Sequence, residues 1–177
     1  MWERCPAATP FQHPAWLLPW WRNLWGGGRA CWLALRDGAR LAGLAPLFVW
    51  GTETRCVSLA GAGISDYLGF LIEPEHEAAG ASLVLDWLNR RAAAWDLCDF
   101  QELRHDSPLL AAVPTGAAEV ETCAVCPVVR LPRSADEFFA GLRGHFRRNL
   151  FRARQRVANG GGAVEAAGPE NFDELLS

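Results

Sequence analysis

The 177 residues contain no lysine, so all seventeen basic residues are arginine, a bias from which no function is read. No apolar run approaches the ~18–20 residues that span a bilayer, which excludes a helical membrane anchor of ordinary length. The opening Met1-Trp2-Glu3-Arg4-Cys5-Pro6 has neither a basic stretch nor an apolar core, so a secretory leader is not expected and a cytoplasmic location is the default. The four histidines, His13, His76, His105 and His145, match no metal-ligand spacing. Ser65 has no G-x-S-x-G around it, and Gly61-Ala62-Gly63 lacks the rest of a dinucleotide fingerprint. Cys123 and Cys126 form the only C-x-x-C, half of what a structural zinc needs. With Cys5, Cys31, Cys56 and Cys98 widely spaced, all six are expected to be buried, inert thiols in a reducing compartment.

What is present is a foldable core. Half the residues are hydrophobic and 21% are charged, the balance of a globular chain rather than a disordered one. Trp32 to Arg36 and Leu41 to Trp50 are apolar runs around Asp37-Gly38, which predicts a hairpin with a type I′ turn. The second run is apolar almost throughout, as a central strand covered on both faces would be. Pro46 within it predicts a bulge or an edge. Arg55 to Ala60 and Tyr67 to Ile72 read as two more strands. A helix from about Pro74 to Ala94 follows, with Ala81, Val84, Leu85, Leu88, Ala92 and Trp95 as its apolar stripe. Asp96 to Leu103 then reads as a strand, and strand–helix–strand implies a crossover between parallel strands. The predicted class is a mixed α/β (α+β) domain.

Other segments are less regular. Residues 1–10 read as a loose lead-in, and Phe11 to Trp25 as one or two short helices broken at Pro14 and Pro19. That stretch holds four of the nine tryptophans and reads as an aromatic cover for the sheet. Glu119 to Leu131 reads as one or two strands interrupted at Pro127. Ser134 and Glu137 form a capping box for a long helix with Phe138, Leu142, Phe146, Leu150, Ala153 and Val157 on one face. Ala163 to Ala167 reads as a strand and Pro169 to Ser177 as the start of a helix without a stop signal, so the chain is expected to be a fragment or truncated product. Between Arg130 and Arg156 eight arginines face only Asp136 and Glu137, a local +6 that leaves −9 elsewhere from a net −3.

Ser65-Asp66-Tyr67 places a carboxylate and a phenol in a glycine-rich loop at a strand's start, which makes Asp66 and Tyr67 candidate substrate contacts. The alternative is that Asp66 caps its own turn. The arginine helix admits three readings: a solvated face, a nucleic-acid surface opposed by the acidic remainder, or a face toward an acidic partner domain or anionic substrate.

The order of elements resembles the GNAT acyltransferases. The sequence looks most like the CelD-like (cellulose-biosynthesis type) acetyltransferases, related to the BioF2-like and Fem-type double-GNAT enzymes. The residues that carry this are Thr9-Pro10-Phe11-Gln12 with the tryptophans after it, Gly43-Leu44-Ala45-Pro46-Leu47, Gly61 to Tyr67, Cys126-Pro127-Val128 and the helix around Arg143 to Arg156. The resemblance implies a lead-in at 1–8, a first, degenerate lobe at 9–131 and the start of a second lobe at 132–177. It implies transfer of an acyl group from acyl-CoA to an amine or hydroxyl of a sugar or cell-envelope type acceptor, with the catalytic residues beyond Ser177.

In such a lobe a glycine-rich loop and a helix N-terminus hold the cofactor's pyrophosphate. Here that position reads Ile72-Glu73-Pro74-Glu75-His76-Glu77, without the glycines and with three carboxylates. Repulsion from them implies that this lobe binds no acyl-CoA and that no cofactor is expected on this stretch. The implied partners are the missing lobe and a small-molecule acceptor. Asp66, Tyr67, Arg147, Arg148 and Arg152 are the implied substrate or inter-lobe contacts. The rival is a non-catalytic GNAT-like module that docks an acidic partner or nucleic acid through its arginines.

Overall fold

The predicted hairpin forms with its turn one residue later than the sequence suggests. In the computed structural model, which describes residues 1–25, 27–162 and 168, strand β1 (Gly28–Asp37) pairs antiparallel with β2 (Arg40–Trp50). Asp37 and Arg40 are the last pair, so the turn is Gly38-Ala39. Only Gly38 has positive φ (57°), the pattern of a turn with glycine at its first central position, because Ala39 carries a Cβ and avoids the left-handed region.

β2 is the centre of the sheet and is buried through most of its length, as its apolar run requires. One edge pairs with β1. The other is shared by β3 (Cys56–Leu59), which pairs with Leu47 to Trp50, and β4 (Leu71–Ile72), which pairs with Gly43 and Leu44. Pro46 is therefore at neither a bulge nor a sheet edge, contrary to expectation. It sits where β3 and β4 part, its carbonyl accepting Ala60 N–H at 2.7 Å. Backbone N and O of a strand residue point the same way, so the missing N–H faces that gap and breaks no bond to β1. The bulge lies at Ala42, where the β1–β2 register shifts; its carbonyl accepts Glu73 N–H at 3.0 Å.

The predicted helix is a 3₁₀ turn (Pro74–His76), α2 (Glu77–Arg90) and a second 3₁₀ turn (Ala92–Ala94). Ala81, Val84 and Leu88 are buried with Trp95 against Leu47, Val57 and Leu59; Ala92 is exposed. β5 (Leu97–Cys98) pairs parallel to β3, so the strand–helix–strand crossover is present in a mixed α/β (α+β) fold. Its flanking strands are shorter than predicted. Of Tyr67 to Ile72 only the last two residues are strand, and Leu68 meets Leu103 in a single parallel bridge. Arg55 and Asp96 clamp the start of the parallel pair: Arg55 N, Nε and Nη2 donate to the carboxylate at 2.8, 3.1 and 2.9 Å.

The other sheet face is covered by α1 (Pro14–Asn23). Pro14 starts this helix but Pro19 does not break it. A proline inside a helix costs about 3 kcal/mol, which burial of Leu17 and Trp20 on either side offsets. Trp20, Trp25 and Phe48 form the expected aromatic cover, with Trp25 and Phe48 centroids 4.3 Å apart. The cover is tight enough that a Cβ on Gly28 would lie 2.5 Å from Trp25 Nε1 and 2.8 Å from the Val49 carbonyl. Gly28 is therefore a close-contact residue.

The lead-in is packed, not loose. Trp2–Arg4 form a 3₁₀ turn, Trp2 Nε1 donates to the Thr9 carbonyl at 2.8 Å, and Cys5 is buried. After β5 the described chain holds α3 (Pro108–Ala112), with Ser107 Oγ accepting Leu109 N–H at 3.3 Å as its cap.

The chain divides into two units, Met1–Cys123 and Ala124–Ser177. Residues 119–131, predicted as strand, form none: they are exposed and make no ladder among the described residues. Cys98, Cys123 and Cys126 are exposed and Cys31 is half-buried, so only Cys5 and Cys56 fit the buried-thiol reading. In the second unit the single predicted helix is two, α4 (Ala135–Gly141) and α5 (Gly144–Asn159). Gly141 and Gly144 flank the break, each costing about 1 kcal/mol in a helix relative to alanine. Ser134 Oγ accepts Glu137 N–H at 3.1 Å, but Glu137 Oε2 accepts from Arg133 N rather than Ser134 N, so the cap is half of the predicted box. The strand and helix predicted after Gly162 lie outside the described residues.

Two measurements check this packing. Gly28→Ala should destabilise the fold by about 1–3 kcal/mol through overpacking, read as a lower denaturant midpoint. Arg55 holds Asp96 at a pKa of about 2, below the ordinary 3.8, first through its side-chain hydrogen bonds. A depressed carboxylate stabilises fully above its unfolded pKa and loses that contribution as pH falls through the folded one. The stability gap between wild type and Asp96→Asn should therefore close between pH 4 and pH 2 in acid titrations at fixed denaturant.

Candidate functional site

A cavity of about 230 Å³ opens at one end of the sheet in the first unit. Three chain segments that are distant in sequence form it, together with the start of α2. Cys5 to Thr9 and Gln12 come from the lead-in, Tyr67 to Phe70 from the chain before β4, and Arg104 to Leu109 from the chain before and within α3. Glu77 and Ala81 supply the wall from α2.

The local geometry is held by bonds between these segments. Tyr67 adopts φ of 57°, a left-handed conformation uncommon for a residue with a large side chain. Its carbonyl accepts Thr9 Oγ1 at 3.0 Å, which ties the lead-in to the loop. Leu68 N donates to the carbonyl of Glu102, itself left-handed at φ 59°, at 2.9 Å. Two strained non-glycine residues thus stand beside the Leu68–Leu103 bridge. Such strain persists only where surrounding contacts impose it, and it clusters at functional sites.

The polar groups at the cavity are few. Gln12 is 6% exposed; its Oε1 accepts Thr9 N at 2.8 Å. That leaves the amide NH₂, which lies over Gly69, without a hydrogen-bond partner among the described residues. Arg104 Nε and Nη2 donate to the two Asp106 oxygens at 2.8 and 2.7 Å. This pair pulls the Asp106 carboxyl below its usual range and pushes Arg104 up, and the Tyr67 phenol adds to the latter effect. Burial pushes the Cys5 thiol up, so it stands as a neutral thiol rather than a nucleophilic thiolate.

Tyr67 lines the cavity and Asp66 does not. Asp66 is exposed, and no described residue hydrogen-bonds its carboxylate, so the turn-capping alternative is not formed either. Arg147, Arg148 and Arg152 lie on α5 in the second unit, exposed and without ion pairs among the described residues. Gln12, Arg104 and Asp106 were not singled out as site residues from the sequence. The one available signal was the Arg-x-Asp spacing, because Gln12 reaches the site only through the fold of the lead-in.

The carboxylates at the start of α2 are not the bare cluster that the sequence implied. Glu73 is 2% exposed. Arg40 Nη2 contacts its Oε2, and Arg4 Nη1 lies 2.7 Å from Oε1 as an ion pair without hydrogen-bond alignment. Arg40 also reaches Glu75 Oε1 at 3.2 Å. The Glu75 carboxyl is held below its usual range by its own backbone hydrogen bond first, then by His76 and Arg40. Ligand atoms of Glu73, Glu75 and His76 lie within 4.8 Å of one another. Two guanidinium groups already fill the place a cation would take, so a metal does not fit. Two of three carboxylates are neutralised, and repulsion of a polyanion is weaker than three free charges would give. The helix end is instead occupied by an internal ion-pair cluster and still lacks a glycine cradle.

No family model, curated protein or solved structure matches this chain. No helix among the described residues is long and apolar enough to cross a membrane.

Glu73→Ala should cost about 2 kcal/mol, because it leaves Arg4 and Arg40 facing each other without the buried carboxylate between them. Both arginines are roughly half exposed, which keeps the cost below that of a fully buried pair. Chemical denaturation should show it, with faster proteolysis of the lead-in.

Proposed function

We propose that this chain is the N-terminal portion of an acyl-CoA-dependent N- or O-acyltransferase of the GNAT type. In this reading the first unit holds the acceptor, and the acyl-CoA site and catalytic residues lie beyond Ser177. What supports it is the cavity's size and lining. Pockets for drug-sized ligands run to about 300–1,000 Å³, so 230 Å³ suits one sugar ring or a small amine and not a nucleotide cofactor. The Gln12 amide NH₂, without a hydrogen-bond partner among the described residues, offers a donor that a hydroxylated acceptor can use, and Tyr67 is part of the lining. Acyl transfer of this kind needs two substrates held in register and a base or water to take the nucleophile's proton. The first unit's part is the positioning of one of them. Arg147, Arg148 and Arg152 are proposed to meet the second lobe or an anionic part of the substrate.

A second reading has its own support. α5 carries five arginines and no acidic residue, and Phe146, Phe151 and Val157 on it are exposed. A non-catalytic GNAT-like module that docks an acidic partner or nucleic acid through this helix would look the same. The two separate in solution. Saturation-transfer NMR should show glucosamine or glucose bound to the chain and the signal lost in Ala8→Phe, which narrows the cavity from its rim. Calorimetry with acetyl-CoA should give no heat. Absence of any sugar signal would remove the acceptor reading, and tight acetyl-CoA binding would overturn the lobe assignment. Salt-sensitive retention on DNA would favour the module.

A further inference from the structure

The sheet ends on one side in an open, regular strand. β1 is ten residues long, contains no proline, and among the described residues pairs only with β2. Natural sheets guard such an edge with short strands, prolines or charges pointing into it. Here the middle of the strand, Ala30 to Leu35, carries no charge. Arg36 turns its guanidinium back to the Ala39 carbonyl at 3.0 Å and does not guard the edge.

The direction of the free backbone groups follows from Pro46. Its carbonyl faces β3, so Pro46 and its partner Trp32 form a non-hydrogen-bonded pair. The N–H and C=O of Trp32 then point away from β2, as do those of Ala30 and Ala34 two residues to either side. No described residue bonds them. Their side chains are exposed, while those of Cys31, Leu33 and Leu35 pack partly on the core.

We propose that this edge pairs antiparallel with the β1 edge of a second copy of the chain, centred on Leu33. Outward groups can meet only outward groups, which restricts a two-fold pairing to registers that match even residues with even ones. Of these, the register centred on Leu33 sets Trp32 beside Ala34 of the second copy, a large side chain against a small one. Leu33 meets its own counterpart on the core face. The same register brings Arg29 opposite Asp37 at both ends, giving two ion pairs across the seam, whereas centring on Trp32 places Arg29 opposite Leu35. Arg29 has no ion pair among the described residues, and Asp37 has only His76 Nε2 at 3.8 Å. Arg29 and Asp37 belong to non-hydrogen-bonded pairs across the seam, where side chains come closest. The two five-stranded sheets thereby become one.

Sedimentation equilibrium of the 177-residue chain at low salt is the test. The expected result is a monomer–dimer equilibrium between 19.4 kDa and twice that mass. Ala34→Pro removes an outward N–H at an edge position, which leaves the β1–β2 ladder intact, and should abolish the dimer. Arg29→Asp should raise the dimer dissociation constant about tenfold by replacing two attractions with repulsions. Arg29→Asp combined with Asp37→Arg should bring it back. A wild-type chain that stays monomeric at hundreds of micromolar, or an Ala34→Pro chain that still dimerises, overturns the proposal. Failure of the charge swap to restore pairing overturns the register.

Discussion

Pro46 has no N–H to give, and the sheet is arranged around that lack. On the β3 side it accepts from Ala60 but cannot donate, and β3 leaves β2 at that point. β4 takes over the same edge at Leu44 and Gly43, so one edge of β2 serves two short strands. The chain between them, from Ala60 to Phe70, is an excursion of the sheet rather than part of it. That excursion carries Tyr67 to the cavity. On the β1 side, Pro46 costs nothing, because its partner Trp32 faces the other way.

The second constraint is the buried carboxylate of Glu73. It lies where the hairpin end, the lead-in and the start of α2 meet, and it is matched by one arginine from the hairpin and one from the lead-in. An ionised group this deeply buried is tolerated only with such partners. The ion pair, with the Thr9–Tyr67 bond, turns ten residues that look like an unstructured start into a wall of the cavity. The same pairing weakens the negative charge of the helix end and leaves Glu77 without an ion pair among the described residues.

Function enters through this geometry in a limited way. The cavity is small and partly apolar, and Gln12 and Tyr67 are part of its lining. Within it Asp106 is held ionised by Arg104, and Cys5 is held neutral by burial.

The sequence by itself determined the hairpin, the buried centre strand, the amphipathic α2, the Ser134 cap and the aromatic cover. Each of these is written in local periodicity or in a residue within a few positions of its effect. It overstated the strands at Tyr67 to Ile72, Asp96 to Leu103 and Glu119 to Leu131, because β-rich composition makes a strand only where another edge is in reach. It carried α4 and α5 as one helix, since the apolar spacing runs on across Gly141 and Gly144. The tertiary structure alone decided that Pro46 fills a gap, that Glu73 is neutralised, and that Gln12, Tyr67 and Arg104 share one cavity while Asp66 does not. Those outcomes depend on which distant backbone faces which, a relation that local sequence patterns do not encode.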